Sequence, residues 1–283
     1  MRPVVEKKKL EIRHIIYIII IVICIIAIGI AVYMQYFKDE KLGVIFGITS
    51  EEEDEEVNKL KEDFLGIFTN DLSSNEKYEG NINKIKEDLD IVTTTYNLEK
   101  QEKNYSMDLK IPGFNINSDE AKAINIKIRD VYKNKAKNVE LSKSEDKIIY
   151  NVRYKAYENN NILSLVIISE LKEGDKNQRI VMQTFNYDLQ NNKTVDIESL
   201  LLKNNIDKKI ANSKIKEEID KSQEQNNKLK ELGYDVNVRD SSSEDYKIEN
   251  AKVFFIGEKG YLYIVYPYGN KELTTQMDII ILK

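Results

Sequence analysis

Histidine and cysteine, the side chains that most often supply imidazole bases, thiol nucleophiles and metal ligands, occur once each in this chain, as His14 and Cys24. Both lie at the N-terminal end, beside or within a long apolar stretch. The rest of the chain therefore has no thiol nucleophile, no imidazole base, no disulfide and no His or Cys metal ligand. The sequence predicts no catalytic residue, no metal and no cofactor.

Tyrosine is the side chain whose pattern best suits binding, because it joins a flat apolar ring to a polar hydroxyl. Four tyrosines cluster near the C-terminus, and two polar residues end a predicted strand. We expect a ligand to contact these six residues: Tyr261, Tyr263, Tyr266, Tyr268, Asn186 and Asp188. Pro267 favours Tyr266 and Tyr268, since proline interrupts a regular strand ladder. The alternatives are sheet surface and core for the tyrosines, and a turn for Asn186 and Asp188.

Carboxylates are abundant, with 48 Asp and Glu residues. A glycoside hydrolase needs only two of them, about 5 to 10 Å apart. No pair stands out, so a carboxylate-based cell-wall hydrolase is the less favoured alternative to a protein without enzymatic activity. The acidic run at residues 51–56 lacks the spaced turn of a calcium-binding loop, and like charges in sequence predict a solvated linker.

The charge of the chain argues against nucleic acid as a partner. The whole sequence has a net charge of −5; the first fourteen residues hold five basic and two acidic side chains, and residues 15–37 hold none. The remainder therefore has a net charge of −8. That charge repels phosphates and favours a cationic partner, although an acidic surface also serves solubility.

An uncharged stretch at residues 15–32, IIYIIIIVICIIAIGIAV, predicts a transmembrane helix. As a helix it would be about 27 Å long, close to the thickness of the hydrocarbon core of a bilayer. Tyrosines at both ends suit the headgroup region, and the excess of basic residues ahead of the stretch predicts a cytoplasmic N-terminus with the rest outside the cell membrane. A cleaved signal peptide is the alternative, because Ala27, Gly29 and Ala31 have the small-residue spacing of a cleavage site.

The patterns beyond this span predict an α+β fold of mostly antiparallel sheet with packed helices. A hairpin turns at residues 97–104 and closes at Pro112 and Gly113, and Ser118 caps the helix that follows, with Val131 on its inner face. Three strands then form a meander. A helix with Ile210 facing inward follows, and three strands end the chain.

Together these patterns divide the sequence into six parts: a cytoplasmic tail 1–14, a transmembrane helix 15–37, an acidic linker 38–56, an opening helical segment 57–87, and N-terminal and C-terminal α+β parts of the ectodomain at 88–190 and 191–283.

The order of these segments resembles a known extracytoplasmic module. It is the paired domain of unknown function found in RsiV-type anti-sigma factors, which act as lysozyme receptors, and in the N-terminal part of the peptidoglycan deacetylase PdaC. The likeness is carried by residues 105–116 (YSMDLKIPGFNI), the helix at 119–138, residues 185–201 (FNYDLQNNKTVDIESLL) and residues 254–270 (FFIGEKGYLYIVYPYGN). It covers about 88–283.

The sequence departs from both relatives in ways that limit what the resemblance implies. Fourteen residues are too short for the sigma-binding segment, and no deacetylase part follows the module. The resemblance implies a membrane-anchored binding or sensing protein of the bacterial cell envelope, with cell-wall glycan or a cationic protein such as lysozyme as partner. A scaffold subunit of an envelope complex is the alternative. The abundance of Ile, Lys and Asn and the absence of Trp indicate an AT-rich, Gram-positive source.

Overall fold

A computed structural model describes residues 55–267 and 276–283. These residues contain four α-helices: α1 Glu55–Glu62, α2 Asp119–Glu140, α3 Ile197–Lys203 and α4 Lys208–Glu231. They also contain ten strands: β1 Leu72–Glu76, β2 Val92–Gln101, β3 Tyr105–Phe114, β4 Ile148–Asn159, β5 Ile162–Glu173, β6 Arg179–Asp188, β7 Lys193–Thr194, β8 Val253–Ile256, β9 Leu262–Pro267 and β10 Met277–Leu282. The fold is α+β with mostly antiparallel strand pairs, which confirms the predicted class.

The predicted transmembrane helix at 15–37 lies outside the described residues, as do the cytoplasmic tail and most of the acidic linker. None of the helices that the structure does describe is both long enough and apolar enough to cross a bilayer. Membrane anchoring therefore stays a prediction. The opening segment at 57–87 begins in α1 and a short 3₁₀ helix, Phe64–Ile67, and then continues as strand β1 instead of staying helical.

Seven strands form a large sheet: six follow the order β2-β3-β4-β5-β6-β7, and the seventh, β1, pairs with β4. The meander β4-β5-β6 is antiparallel, as its turns predict. The remaining edge of β4 is shared, because its first half pairs in parallel with β3 and its second half pairs in parallel with β1. No local pattern predicts these two parallel pairings, which join segments distant in sequence.

The described residues are arranged in four layers. Helix α2 packs on one face of the large sheet, through buried residues such as Ile124 and Ile128. The small sheet β10-β9-β8 covers part of the opposite face, and α3 and α4 cover the far side of the small sheet. Consecutive residues of β9 therefore point to different layers, with Tyr263 towards the large sheet and Ile264 towards the helices.

Polar side chains of the large sheet cap the outer edge of β8. Thr184 accepts a hydrogen bond from the amide of Phe254 at 3.2 Å, and Ser164 accepts one from the amide of Ile256 at 3.0 Å. Asn186 donates to the carbonyl of Phe254 at 2.9 Å. The unpaired main-chain groups of this edge strand are thus satisfied without another strand, as buried backbone requires.

Two expectations about the first hairpin are wrong. Residues 97–101 continue β2 instead of turning, and Pro112 and Gly113 lie inside β3, paired with β2. A Cβ on Gly113 would stand 2.5 Å from Cγ2 of Thr95, so glycine there makes room for the neighbouring strand.

Two apolar helix residues expected to face inward are exposed, Val131 by 43% and Ile210 by 68%. The inward faces of their helices are formed by neighbours such as Tyr132, Ala211 and Ile215.

Candidate ligand-binding groove

Two of the four predicted binding tyrosines lie in the core. Tyr263 is 1% exposed, stacked on Phe255 at 4.9 Å between ring centroids and on Phe64 at 6.3 Å. Tyr266 is 5% exposed and donates a hydrogen bond from its hydroxyl to the carbonyl of Tyr246 at 3.3 Å. Burial raises the pKa of both hydroxyls, so they stay protonated. Neither ring face is open to a ligand, and Tyr266 is paired within the ladder, so Pro267 does not keep it outside.

Of the other two tyrosines, the structure describes Tyr261. Tyr261 is partly exposed and donates from its hydroxyl to Glu56 Oε2 at 3.1 Å, while Lys283 Nζ lies 5.5 Å from its ring centroid. Tyr268 lies outside the described residues. The described tyrosines of this cluster therefore serve the core and a contact to α1.

Asn186 and Asp188 are fully used by the fold. Asn186 joins the two sheets, since it accepts from Ser164 Oγ at 2.6 Å in addition to donating to β8. Asp188 accepts from the amides of Gln190 and Asn191 at 3.0 and 2.9 Å, from Asn191 Nδ2 at 2.9 Å and from Lys203 Nζ at 2.7 Å. Asp188 thus shapes the turn after β6, as the alternative interpretation predicts.

An open groove lies elsewhere, between α2 and the strands β4, β5 and β6 of the large sheet. We name it the α2–β6 groove and define it by its lining residues: Val131, Tyr132, Lys135, Tyr150, Ser169, Leu171, Arg179, Val181 and Gln183. Its volume is about 360 Å³. That is enough for one small ligand or one group of a larger ligand.

Local structure explains why these side chains meet. Lys127, Val131 and Lys135 recur at every fourth position of α2 and so lie along one side of the helix. Arg179, Val181 and Gln183 alternate along β6 and share the sheet face that α2 packs on. Two contacts join α2 to β6. Lys127 Nζ lies 5.8 Å from the ring centroid of Phe185, and the hydroxyl of Tyr132 donates to Gln183 Oε1 at 3.0 Å.

The floor of the groove is largely apolar and carries neutral hydroxyl groups. Tyr132 and Tyr150 are each 2% exposed, and burial raises the pKa of both phenols well above the ordinary value. They act there as hydrogen-bonding groups and not as bases. Leu171 and Val181 supply aliphatic surface on which a flat or ring-shaped ligand can pack.

The rim of the groove is positively charged. Lys135 and Arg179 stand on opposite walls, and Lys127 stands beyond Val131 on the same side of α2. Arg179 also donates to Glu173 Oε2 at 2.5 Å, which offsets one of the three positive charges. The balance attracts an anionic group, and a carboxylate placed between the walls would gain a charge-assisted hydrogen bond.

The described lining residues include no Asp, Glu, His or Cys, so they supply binding groups but no acid and base pair. Among the residues that the structure describes, no cluster of three or more such side chains could hold a metal ion. Sequence reasoning missed this groove. The available signal was weak, because the two cationic residues of the groove, Lys135 and Arg179, are far apart in the sequence and only the tertiary fold brings them together.

Two solved structures resemble part of this fold. The crystal structure of a DUF3298 family protein from Pseudomonas aeruginosa is 13% identical, and the similarity covers 41% of this chain and 66% of that chain with a TM-score of 0.28. A member of the DUF3298 family from Bacteroides fragilis is 10% identical over 63% of this chain and 80% of that chain, with a TM-score of 0.35. This chain thus spans just under two thirds of the Pseudomonas protein. No family model and no curated protein matches the chain.

Proposed function

We propose that this chain is a membrane-anchored binding protein of the bacterial cell envelope and that the α2–β6 groove binds an anionic fragment of cell-wall glycan. The charged rim over an apolar floor is the observation that carries the proposal. A sugar ring has an apolar face that packs on Leu171 and Val181, and hydroxyl groups that suit Tyr132, Tyr150 and Gln183. The uncharged stretch at 15–32 supports the anchoring, and the resemblance described above supports the envelope.

N-acetylmuramic acid fits this groove better than N-acetylglucosamine, because the two sugars differ by a lactyl carboxylate. The carboxylate would lie between Lys135 and Arg179, where the positive charge is concentrated. A cationic partner such as lysozyme gains nothing from this rim, so we assign glycan to the groove. The acidic remainder of the surface leaves a cationic protein as a candidate for another face.

Calorimetric titration of the full-length chain in detergent tests the proposal. We expect N-acetylmuramic acid to bind and N-acetylglucosamine to bind at least about tenfold more weakly, because a charge-assisted hydrogen bond contributes about 1.5–3 kcal/mol. Lys135→Gln should weaken binding of the acidic sugar by a similar factor. Lys137→Gln is the matched control, since Lys137 is an exposed lysine of the same helix outside the groove lining. Equal binding of the two sugars, or no binding of either, would overturn the proposal.

We infer further that the groove binds without transforming its ligand, since its described lining offers neither an acid nor a base of the kind that glycoside hydrolysis needs. Incubation of the purified chain with peptidoglycan in a zymogram tests this inference. A cleared band would support the carboxylate-based hydrolase instead.

A further inference from the structure

The outer edge of β6 is open along half of its length. Strand β7 pairs with this edge at Tyr187 and Asp188, and the amide of Val195 donates to the carbonyl of Asn186 at 2.9 Å. Among the described residues no other strand pairs with this edge. The amide of Leu189 donates to the carbonyl of Asn161. Because hydrogen-bonded pairs alternate along an antiparallel ladder, the main-chain groups of odd-numbered β6 residues bond to β5, and those of even-numbered residues point away from β5. The main-chain groups of Ile180 and Met182 therefore face outward, and no strand of the described ranges 55–267 and 276–283 pairs with them there.

Two other edge strands, β2 and β8, carry features that oppose pairing with a further strand. The edge strand β2 carries a register shift between Thr94 and Tyr96, an irregularity that discourages pairing with another chain. The edge of β8 is capped by the side chains of Thr184, Ser164 and Asn186. By contrast, β6 keeps an unbroken register with β5 throughout and contains no proline.

We propose that an extended acidic peptide adds to residues 179–183 as a further antiparallel or parallel strand. The two faces of the sheet at this edge determine which side chains the added peptide should carry. On the α2 side a residue of the added strand would lie about 5 Å from Arg179 or Val181 and within the field of Lys135. On the other side it would lie beside the apolar side chains of Ile180 and Met182, both partly exposed. The peptide therefore alternates acidic and apolar residues.

Main-chain hydrogen bonds to Ile180 and Met182 would supply affinity, and the positive rim would supply selectivity for acidic residues. This surface is distinct from the floor of the α2–β6 groove, because it uses the even-numbered backbone groups of β6, whereas the groove uses the odd-numbered side chains. Both proposals use the positive charge of Lys135 and Arg179, but only the peptide needs the outward main-chain groups of β6, so Met182→Pro tests the peptide proposal separately from sugar binding.

Fluorescence anisotropy with a labelled hexapeptide, Glu-Val-Glu-Val-Glu-Val, tests the proposal on the full-length chain in detergent. Met182→Pro removes the outward amide and obstructs strand addition, while proline at an edge position facing solvent is compatible with the sheet. Met182→Ala is the matched control, since it loses the same side-chain packing and keeps the amide. We expect the proline variant to bind at least about tenfold more weakly than the alanine variant.

Three outcomes would overturn the proposal: equal affinity of the two Met182 variants, equal binding of the inverted peptide Lys-Val-Lys-Val-Lys-Val, or a dimer in light scattering that Met182→Pro converts to monomer, which would assign the edge to a second copy of the chain. If Met182→Pro fails to fold, Ile180→Pro against Ile180→Ala repeats the test. Binding of N-acetylmuramic acid should be unchanged by Met182→Ala, which separates a failure here from a failure of the glycan proposal.

Discussion

Asp188, which the sequence suggested as a ligand-binding residue, has a structural role. Burial alone would raise the pKa of its carboxyl, but the hydrogen bonds from Lys203 and Asn191 outweigh burial and hold the pKa below the ordinary value. The charged form is therefore stabilised in the folded state. Because Lys203 lies on α3 and Asp188 on β6, this one side chain ties the large sheet to the helical layer.

We predict that Asp188→Asn lowers the free energy of unfolding by about 2 kcal/mol at neutral pH, because an amide group would then face Lys203 and Asn191 Nδ2. Asp196→Asn is the control and should change stability by less than about 0.5 kcal/mol, since Asn caps a helix as well as Asp does. Urea denaturation measures both. Equal losses in the two variants would contradict the role given to Asp188.

The pH dependence of this effect has a definite sign. A carboxyl whose folded pKa is depressed contributes stability above its unfolded pKa, about 3.9, and that contribution is lost as the pH falls through the lower folded value. The difference between the wild-type chain and Asp188→Asn should accordingly shrink on acidification below about pH 4.

At the residue scale, sequence could indicate that Asp188 shapes a turn, because Asp, Asn and Lys follow one another after a strand. It could not show that Tyr263 stacks on Phe255 and Phe64, since the alternation of tyrosines is the same for a ring facing solvent and a ring facing a second sheet. The deciding fact is the presence of that second sheet, which is set by contacts between distant segments.

At the scale of elements, the capping of β8 carries a prediction about one side chain. Asn186→Ala would leave the carbonyl of Phe254 and the hydroxyl of Ser164 without their partner, so we expect a loss of about 2 kcal/mol. Asn97→Ala, at an exposed position of β2, should cost less than about 0.5 kcal/mol.

Hydrogen exchange distinguishes loss of this cap from a general loss of stability. In Asn186→Ala the amides of Phe254 and Ile256 should exchange faster relative to those of the distant pair β2-β3, because the edge of β8 opens locally. Uniform acceleration across both sheets would show instead that Asn186 has no particular role at this edge.

Element positions were largely predictable, and element partners were not. Alternation located β4, a nearly continuous apolar run located β5, which is buried on both faces over most of its length, and the turn before Arg179 located β6. The parallel pairing of β4 with β1 and β3 depends on long-range closure that no local pattern encodes. The α2–β6 groove could not be predicted from the sequence for the same reason, since its walls come from elements that are far apart in the chain.

For the molecule as a whole, buried tyrosines couple stability to alkaline pH. Burial raises the pKa of seven tyrosines that the structure describes: Tyr132, Tyr150, Tyr154, Tyr157, Tyr187, Tyr263 and Tyr266. Their neutral forms favour the folded state below the unfolded pKa of about 10, and this contribution is lost as the pH rises above it towards the folded values.

We therefore predict a cooperative alkaline transition in which tyrosinate absorbance and loss of circular dichroism coincide. In concentrated denaturant all the tyrosines should titrate near the ordinary value. Gradual ionisation of the buried set with the dichroism intact would contradict the tight packing of the layers.

The orientation across the membrane is also testable at this scale, because the chain has no cysteine other than Cys24. In a Cys24→Ser background, Asp175→Cys, in the exposed turn between β5 and β6, should react with an impermeant maleimide on intact cells. Lys8→Cys should react only after permeabilisation, in accord with the positive-inside rule. The reverse pattern of labelling would overturn the envelope assignment.

The burial of Phe64 determines which proteolytic cuts leave the described domain folded. Its ring is 1% exposed and packs against Phe68, Phe255 and Tyr263, so the 3₁₀ turn after α1 is part of the core. Cleavage ahead of Glu55 would leave this core intact, and in a chain anchored as proposed above it would release the whole described domain. A cut between Phe68 and Leu72 would separate Phe64 and Phe68 from the fragment that keeps Phe255 and Tyr263. The cavity left in the core would destabilise that fragment, so we expect it to be digested further and not to persist as a soluble product.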